Sequence, residues 1–125
     1  PLYAPLFVVG ATLLVFDNPR GRLRKFTLAL AEKPSVPLAY RGKEEVKQWT
    51  GRLVQDWITG KVFAEFQRHG TTWLRAIDPV TGGMAAPFKL AVQWPERVQV
   101  HNGWVYYIWR PAGSLQKRTV YRERL

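Results

Sequence analysis

The sequence predicts a mostly β fold of the α+β kind. The expected architecture is a strongly curved or barrel-like antiparallel sheet of about eight strands, with one helix near residues 43–58. Three observations predict it. Short runs alternate apolar and polar residues with a period of two. Dense Asn, Asp, Gly and Pro clusters separate these runs. Apolar residues make up 46% of the 125-residue chain, with six Trp, six Phe and five Tyr, which is enough for a sizeable core.

The segment Leu6 to Phe16 reads as a buried strand or a pair of short strands. Asp17-Asn18-Pro19-Arg20-Gly21 is a turn, and Leu23 to Ala31 is a second strand. There Phe26, Leu28 and Leu30 alternate with Lys25, Thr27 and Ala29. The two segments should form a hairpin with a basic tip. Pro34 and Pro37 break the pattern.

Lys43 to Ile58 is the helix candidate. Val46, Trp49, Leu53, Trp57 and Ile58 approximate one helical stripe. Glu44 and Glu45 stand where a helix dipole favours acids, and Gly60-Lys61 supplies a stop. Gly51 weakens this helix, and a strand over Trp49 to Ile58 is the competing reading. One helix after the third extended segment is similar to the element order of an oligonucleotide-binding five-stranded barrel, although the C-terminal strands exceed that pattern.

From Val62 onward every run reads as strand. His69-Gly70 joins Val62–Arg68 to Thr72–Ile77, and residues 78–83 form another turn. Asn102-Gly103 is the strongest local signal, because both residues tolerate the positive φ of a type I′ turn. It should pair Arg97–His101 with Trp104–Trp109. The latter run is apolar on both faces, so it should be central and covered on both sides. Pro111 to Ser114 makes the last turn, and Leu115 to Arg124 the last strand. With no repeat or linker, residues 1–125 are expected to form a single β-rich domain.

Charge dominates the functional reading. Nineteen Lys and Arg stand against nine Asp and Glu, a formal net charge of +10. Such an excess is usually tolerated for an anionic partner. Cysteine is absent, which excludes disulfides and thiolate chemistry. No phosphate-binding glycine loop or nucleophile motif is present. His69 and His101 each adjoin a turn, without an evident partner. No catalytic residue, metal site or cofactor is therefore expected. The uncharged stretch through Phe16 is shorter than a membrane span of about 20 residues, is broken by Pro5 and Gly10, and lacks a basic leader. No membrane partner is expected, save through an anchor clipped from upstream of Pro1, and the expected compartment is cytoplasmic.

The candidate anion-binding residues fall in two clusters. Arg20, Arg22, Arg24 and Lys25 form the first hairpin tip. Arg110, Lys117, Arg118, Arg122 and Arg124 surround the last turn and strand, with Tyr121 as the candidate exposed ring. A third group, Arg41, Lys43, Lys47 and Arg52, is diluted by Glu44 and Glu45. Twelve of the nineteen cations are Arg, which forms bidentate pairs with phosphate or carboxylate. These features predict a non-catalytic binder of an anionic macromolecule, foremost nucleic acid, DNA or RNA. A protein-docking adaptor or inhibitor of a nucleic-acid enzyme such as a polymerase, meeting an acidic protein surface, is the alternative. A metal-dependent nuclease using Asp17, Glu65 and Asp78 is the weaker one.

Overall fold

A computed structural model describes residues 3–125. Among these, eleven strands form three antiparallel sheets, and the only helical turns are two short 3-10 turns at Ala39–Arg41 and Glu45–Lys47. The N-terminal sheet is a meander of β1 (Leu6–Val9), β2 (Thr12–Asp17), β3 (Arg22–Thr27) and β4 (Glu32–Pro37). The middle sheet is a second meander of β5 (Trp49–Gln55), β6 (Val62–Arg68), β7 (Thr71–Ala76) and β8 (Phe88–Gln93). The C-terminal sheet has β10 (Trp104–Trp109) between β9 (Glu96–His101) and β11 (Thr119–Arg124).

The mostly β class stands, but the barrel does not: the sheets neither close nor curve strongly. The reason lies in β6. Its residues Val62 to Phe66 are all buried. Val62, Ala64 and Phe66 enter a core with Leu14, Phe16, Leu23 and Tyr40 on the N-terminal side. Phe63, on the opposite face, joins Leu74 and Leu90 in a second core with Val98, Val100, Val105 and Tyr107. The middle sheet thus serves two cores, and the molecule is a stack of three layers. Two separate layers flanking one shared sheet bury the apolar faces without any sheet closing on itself.

The expected helix over 43–58 is absent. Residues 45–47 make a single 3-10 turn, and Trp49 to Gln55 are strand β5, as in the competing reading. The four-residue spacing from Trp49 to Leu53 is a bulge, not a helical turn. Trp49 pairs with Phe66 and Leu53 with Ala64, so four steps on β5 oppose two on β6. Gly51, at φ +90°, permits the irregularity. The resemblance to a five-stranded barrel with a helix falls with it.

Eleven strands stand where about eight are expected, because short elements escape the alternation pattern. Leu6 to Phe16 is split by Gly10, with φ +59°, into β1 and β2. β4 contains Pro34 and Pro37, which an edge strand tolerates because its outward N–H groups need no partner. β3 stops at Thr27, so Leu28 and Leu30 do not share a buried face with Phe26. They lie exposed in the following turn. The Asn102-Gly103 hairpin forms as read, with φ of +49° and +79°.

The N-terminal and middle sheets also meet outside their core. The turn at residues 78–83 docks against the end of β4, where the Ala39 N–H donates to Gly82 O at 3.0 Å. A Cβ on Gly82 would lie 1.8 Å from the Pro37 carbonyl oxygen, and the residue has φ +74°. Replacing Gly82 by Ala should therefore cost about 3 kcal/mol or more, read as a lowered midpoint in urea denaturation. An unchanged midpoint would show that the turn is free to move away.

Candidate anionic-ligand interface

The two basic clusters do not share a surface. Arg22 and Arg24 lie on the outer face of the N-terminal sheet, opposite the buried Leu23. Arg122 and Arg124 lie on the outer face of the C-terminal sheet, opposite Tyr121 and Glu123. The middle sheet stands between the two layers, so no single groove holds both clusters.

They also differ in how their charge is used. In the first cluster each cation has a partner. Arg20 pairs with Asp17 at 3.0 Å, and Arg24 with Glu32 at 2.9 Å across β3 and β4. Arg22 donates twice to Ser35 Oγ and once to its carbonyl oxygen. Lys25 points to the other face, where its Nζ donates to Pro79 O at 3.1 Å. These side chains knit β3 to β4 and to the 78–83 turn.

The C-terminal cluster is less compensated. Arg118 pairs with Glu96 at 3.0 Å, joining the start of β9 to the segment before β11. Lys117 and Arg110 are exposed. Glu123 is turned inward, where its carboxylate accepts from Tyr107 Oη at 2.7 Å and from the Ala91 N–H. Burial, then the Glu123 hydrogen bond, holds the Tyr107 phenol well above its ordinary pKa. The single acid in this stretch is thus spent on the core side. Among the described residues, Arg122 and Arg124 meet no carboxylate.

What they meet instead is Trp104. Register places Arg124 directly opposite Trp104 and Arg122 opposite Tyr106. The guanidinium carbons lie 4.0 Å (Arg122) and 5.0 Å (Arg124) from the Trp104 ring centroid. Such contacts contribute about 0.5–1 kcal/mol each at exposed sites. The larger consequence is geometric: two unpaired guanidinium forks are held in place on one indole.

β10 is central in its sheet, as its composition predicts, yet only one face is covered. Val105 and Tyr107 point into the core. Trp104, Tyr106 and Ile108 are half-buried and belong to neither core. With Val120 of β11, which is 66% exposed, they form an aromatic and aliphatic stripe beside the arginines. Tyr121, the ring expected at the surface, is on the inner face. It stacks with Tyr107 at a centroid distance of 6.1 Å and meets Trp109 edge-on at 5.7 Å. The ring beside the arginines on the outer face is the half-buried Trp104. Cross-strand spacing held the missing signal: Arg122-x-Arg124 matches Trp104-x-Tyr106, but that match needs the β10–β11 register.

The hairpin that carries Trp104 is anchored by Asp56, which is only 1% exposed. Its carboxylate accepts from the backbone N–H groups of Ile58 at 2.9 Å, Thr59 at 3.2 Å, Asn102 at 2.9 Å and Gly103 at 2.8 Å. Burial pushes its pKa up, but the four donors (Gly103 foremost) outweigh burial and hold it at about 2. The same turn leaves Trp57 79% exposed.

The acids proposed for a nuclease do not converge. Asp17 serves Arg20, Glu65 serves Arg52 and Thr50, and the Asp78 carboxylate accepts from the Val80 N–H of its own turn. Among the described residues, no group of three acids or histidines is placed to hold a metal ion. Also among them, no helix is long and apolar enough to cross a membrane.

Because the Asp56 pKa is lower in the folded state than its ordinary 3.8, its stabilisation is complete above about pH 4 and fades as pH falls through about 2. The difference corresponds to about 2 kcal/mol. Asp56→Asn should lower stability at neutral pH by about 2–4 kcal/mol, since an amide nitrogen cannot accept from the turn. It should also flatten the acid limb of the stability profile below pH 4, measured by urea denaturation across pH. A variant that retains the wild-type acid limb would place that pH dependence elsewhere. Comparison with known proteins finds no matching family model, no matching curated protein and no matching solved structure.

Proposed function

We propose that the outer face of the C-terminal sheet binds single-stranded nucleic acid, without catalysis. The observation that carries this reading is the pair of guanidinium groups, Arg122 and Arg124, held on Trp104 with no acidic partner. Arginine forks of this kind pair with phosphate bidentately, and their release from water costs less than that of an ammonium. The neighbouring Tyr106 and Ile108 continue along the same face of β10. Sequence-tolerant single-strand binders combine a cationic track with rings on which bases stack, each stack contributing about 1–3 kcal/mol. An open sheet face with one aromatic stripe suits an extended strand. Arg20, Arg22, Arg24 and Lys25, which the sequence places in the same role, act in this reading as structural ties and add only long-range field.

A second reading, a protein-docking adaptor, is favoured by Trp57 and Ile58. They are 79% and 61% exposed on a turn fixed by Asp56, and exposed aromatic anchors often dominate protein interfaces. The two readings use different residues and are separable.

Fluorescence anisotropy with a labelled oligothymidylate, at two or more salt concentrations, tests the first reading. Log affinity should fall linearly with log salt, with a slope of about −0.7 per phosphate neutralised. Arg122→Ala and Arg124→Ala should each weaken binding several-fold and make the slope shallower by about 0.7. Trp104→Ala should weaken binding at every salt concentration, whereas Trp57→Ala should leave it unchanged. Absence of binding at low salt would overturn the reading. Equal losses in Arg22→Ala and Arg122→Ala would reduce it to a diffuse charge effect.

A further inference from the structure

The far end of the C-terminal sheet carries a second feature. A pocket of about 420 Å3 lies between the turn joining β8 to β9 and the segment following β10. Small-ligand sites typically span about 300–1,000 Å3. Trp94 and Trp109 contribute aromatic walls, Pro95 packs beside them, and Arg110, Arg118 and Glu96 supply charge.

Trp94 is unusual in its setting. It is 61% exposed, so core packing does not explain its position. Its backbone has φ +58°, a region that bulky side chains rarely enter, and Arg97 three residues later has φ +53°. The Trp94 N–H donates to Gly70 O at 2.8 Å. A Cβ on Gly70 would lie 2.7 Å from the Trp94 indole, so the ring rests against bare backbone. The other wall is fixed as well: the Trp109 indole N–H donates to Gln93 O at 2.8 Å. The left-handed Trp94, a side-chain-free glycine and an indole hydrogen bond thus fix the walls of an open pocket. Strain of this kind concentrates at ligand sites.

The charges are arranged asymmetrically. Arg118 is paired with Glu96. Among the described residues Arg110 has no acidic partner. Glu96 and Arg118 also line a smaller depression with Arg97 and Ile108. Ile108 belongs to the half-buried outer stripe, and Glu96 and Arg118 line both the depression and the pocket, so the outer sheet face adjoins the pocket.

We propose that this pocket receives one nucleotide unit, with the base against the Trp94 indole and the phosphate on Arg110 and the adjoining Arg118. The inference rests on reading the sheet face as a nucleic-acid surface, and it adds a discrete base site to it. A free nucleoside monophosphate and a unit within a strand present the same chemistry: a flat aromatic ring joined to a dianion or monoanion.

Calorimetric titration of the full chain with adenosine 5′-monophosphate, inorganic phosphate and a short oligodeoxyadenylate tests it. The nucleotide should bind saturably and at least about tenfold more tightly than phosphate, as one base–indole stack allows. Trp94→Ala and Arg110→Gln should each weaken nucleotide binding about tenfold. Both residues are exposed, and circular dichroism should show the fold retained. Parallel weakening of the oligonucleotide by Trp94→Ala identifies a strand unit as the occupant. Weakening of the mononucleotide alone identifies a free nucleotide. Absence of saturable nucleotide binding, or phosphate binding as tightly as nucleotide with no effect of Trp94→Ala, would overturn the pocket. If the oligonucleotide still depends on Arg122 and Arg124 in that event, the sheet-face reading survives. If the nucleotide binds and the oligonucleotide does not, the sheet-face reading fails and the pocket stands.

Discussion

One buried carboxylate joins the middle and C-terminal layers at the place where function is proposed. Asp56 sits at the end of β5, and it fixes both its own turn and the Asn102-Gly103 turn through four backbone N–H donors. Burying a charge is costly unless hydrogen bonds compensate it, and here every partner is a neutral backbone donor. The arrangement sets the position of the β9–β10 hairpin relative to the middle sheet. Trp104 is the first residue after that turn, and the C-terminal Leu125 N–H returns to Gly103 O at 2.9 Å. The indole that holds Arg122 and Arg124 is thus referenced to the core through Asp56, not through burial of its own ring.

The three-layer stack explains why charge and aromatics are free for binding. β6, buried on both faces, lets one sheet satisfy two cores. Each flanking sheet then needs only one apolar face. On the N-terminal sheet the outer arginines are tied across the strands, Arg24 to the Glu32 carboxylate and Arg22 to Ser35. On the C-terminal sheet Glu123 is drawn inward by Tyr107 and the Ala91 N–H, and the outer arginines are left without it. Two guanidinium groups without an acidic partner among the described residues, Arg122 and Arg124, are thus held together on one aromatic face.

What the sequence revealed depended on how local the determining interaction was. The Asn102-Gly103 hairpin was legible because the required positive φ resides in two adjacent residues. The central place of β10 was legible from its apolar run. The sequence suggests a helix over 43–58 because a bulge between Trp49 and Leu53 imitates helical spacing. β4 was hidden by two prolines that an edge position accommodates. The sequence puts Tyr121 at the surface, but the pairing of β11 with β10 across a long connection turns it inward and leaves Trp104 on the outer face. The alternation of Phe88, Leu90, Val92 and Trp94 puts Trp94 on the apolar face of a strand, but β8 stops at Gln93 and Trp94 lies exposed against Gly70, distant in the chain and without a side chain.

The most direct measurement is residue-resolved NMR of the labelled chain titrated with a short single-stranded oligonucleotide at low salt. Shifts centred on the Trp104 indole N–H and on the amides of Tyr106, Arg122 and Arg124 are the expected result. Shifts centred on Arg22 and Arg24 of the N-terminal sheet, or spread evenly over both outer faces, would contradict an interface on the C-terminal sheet.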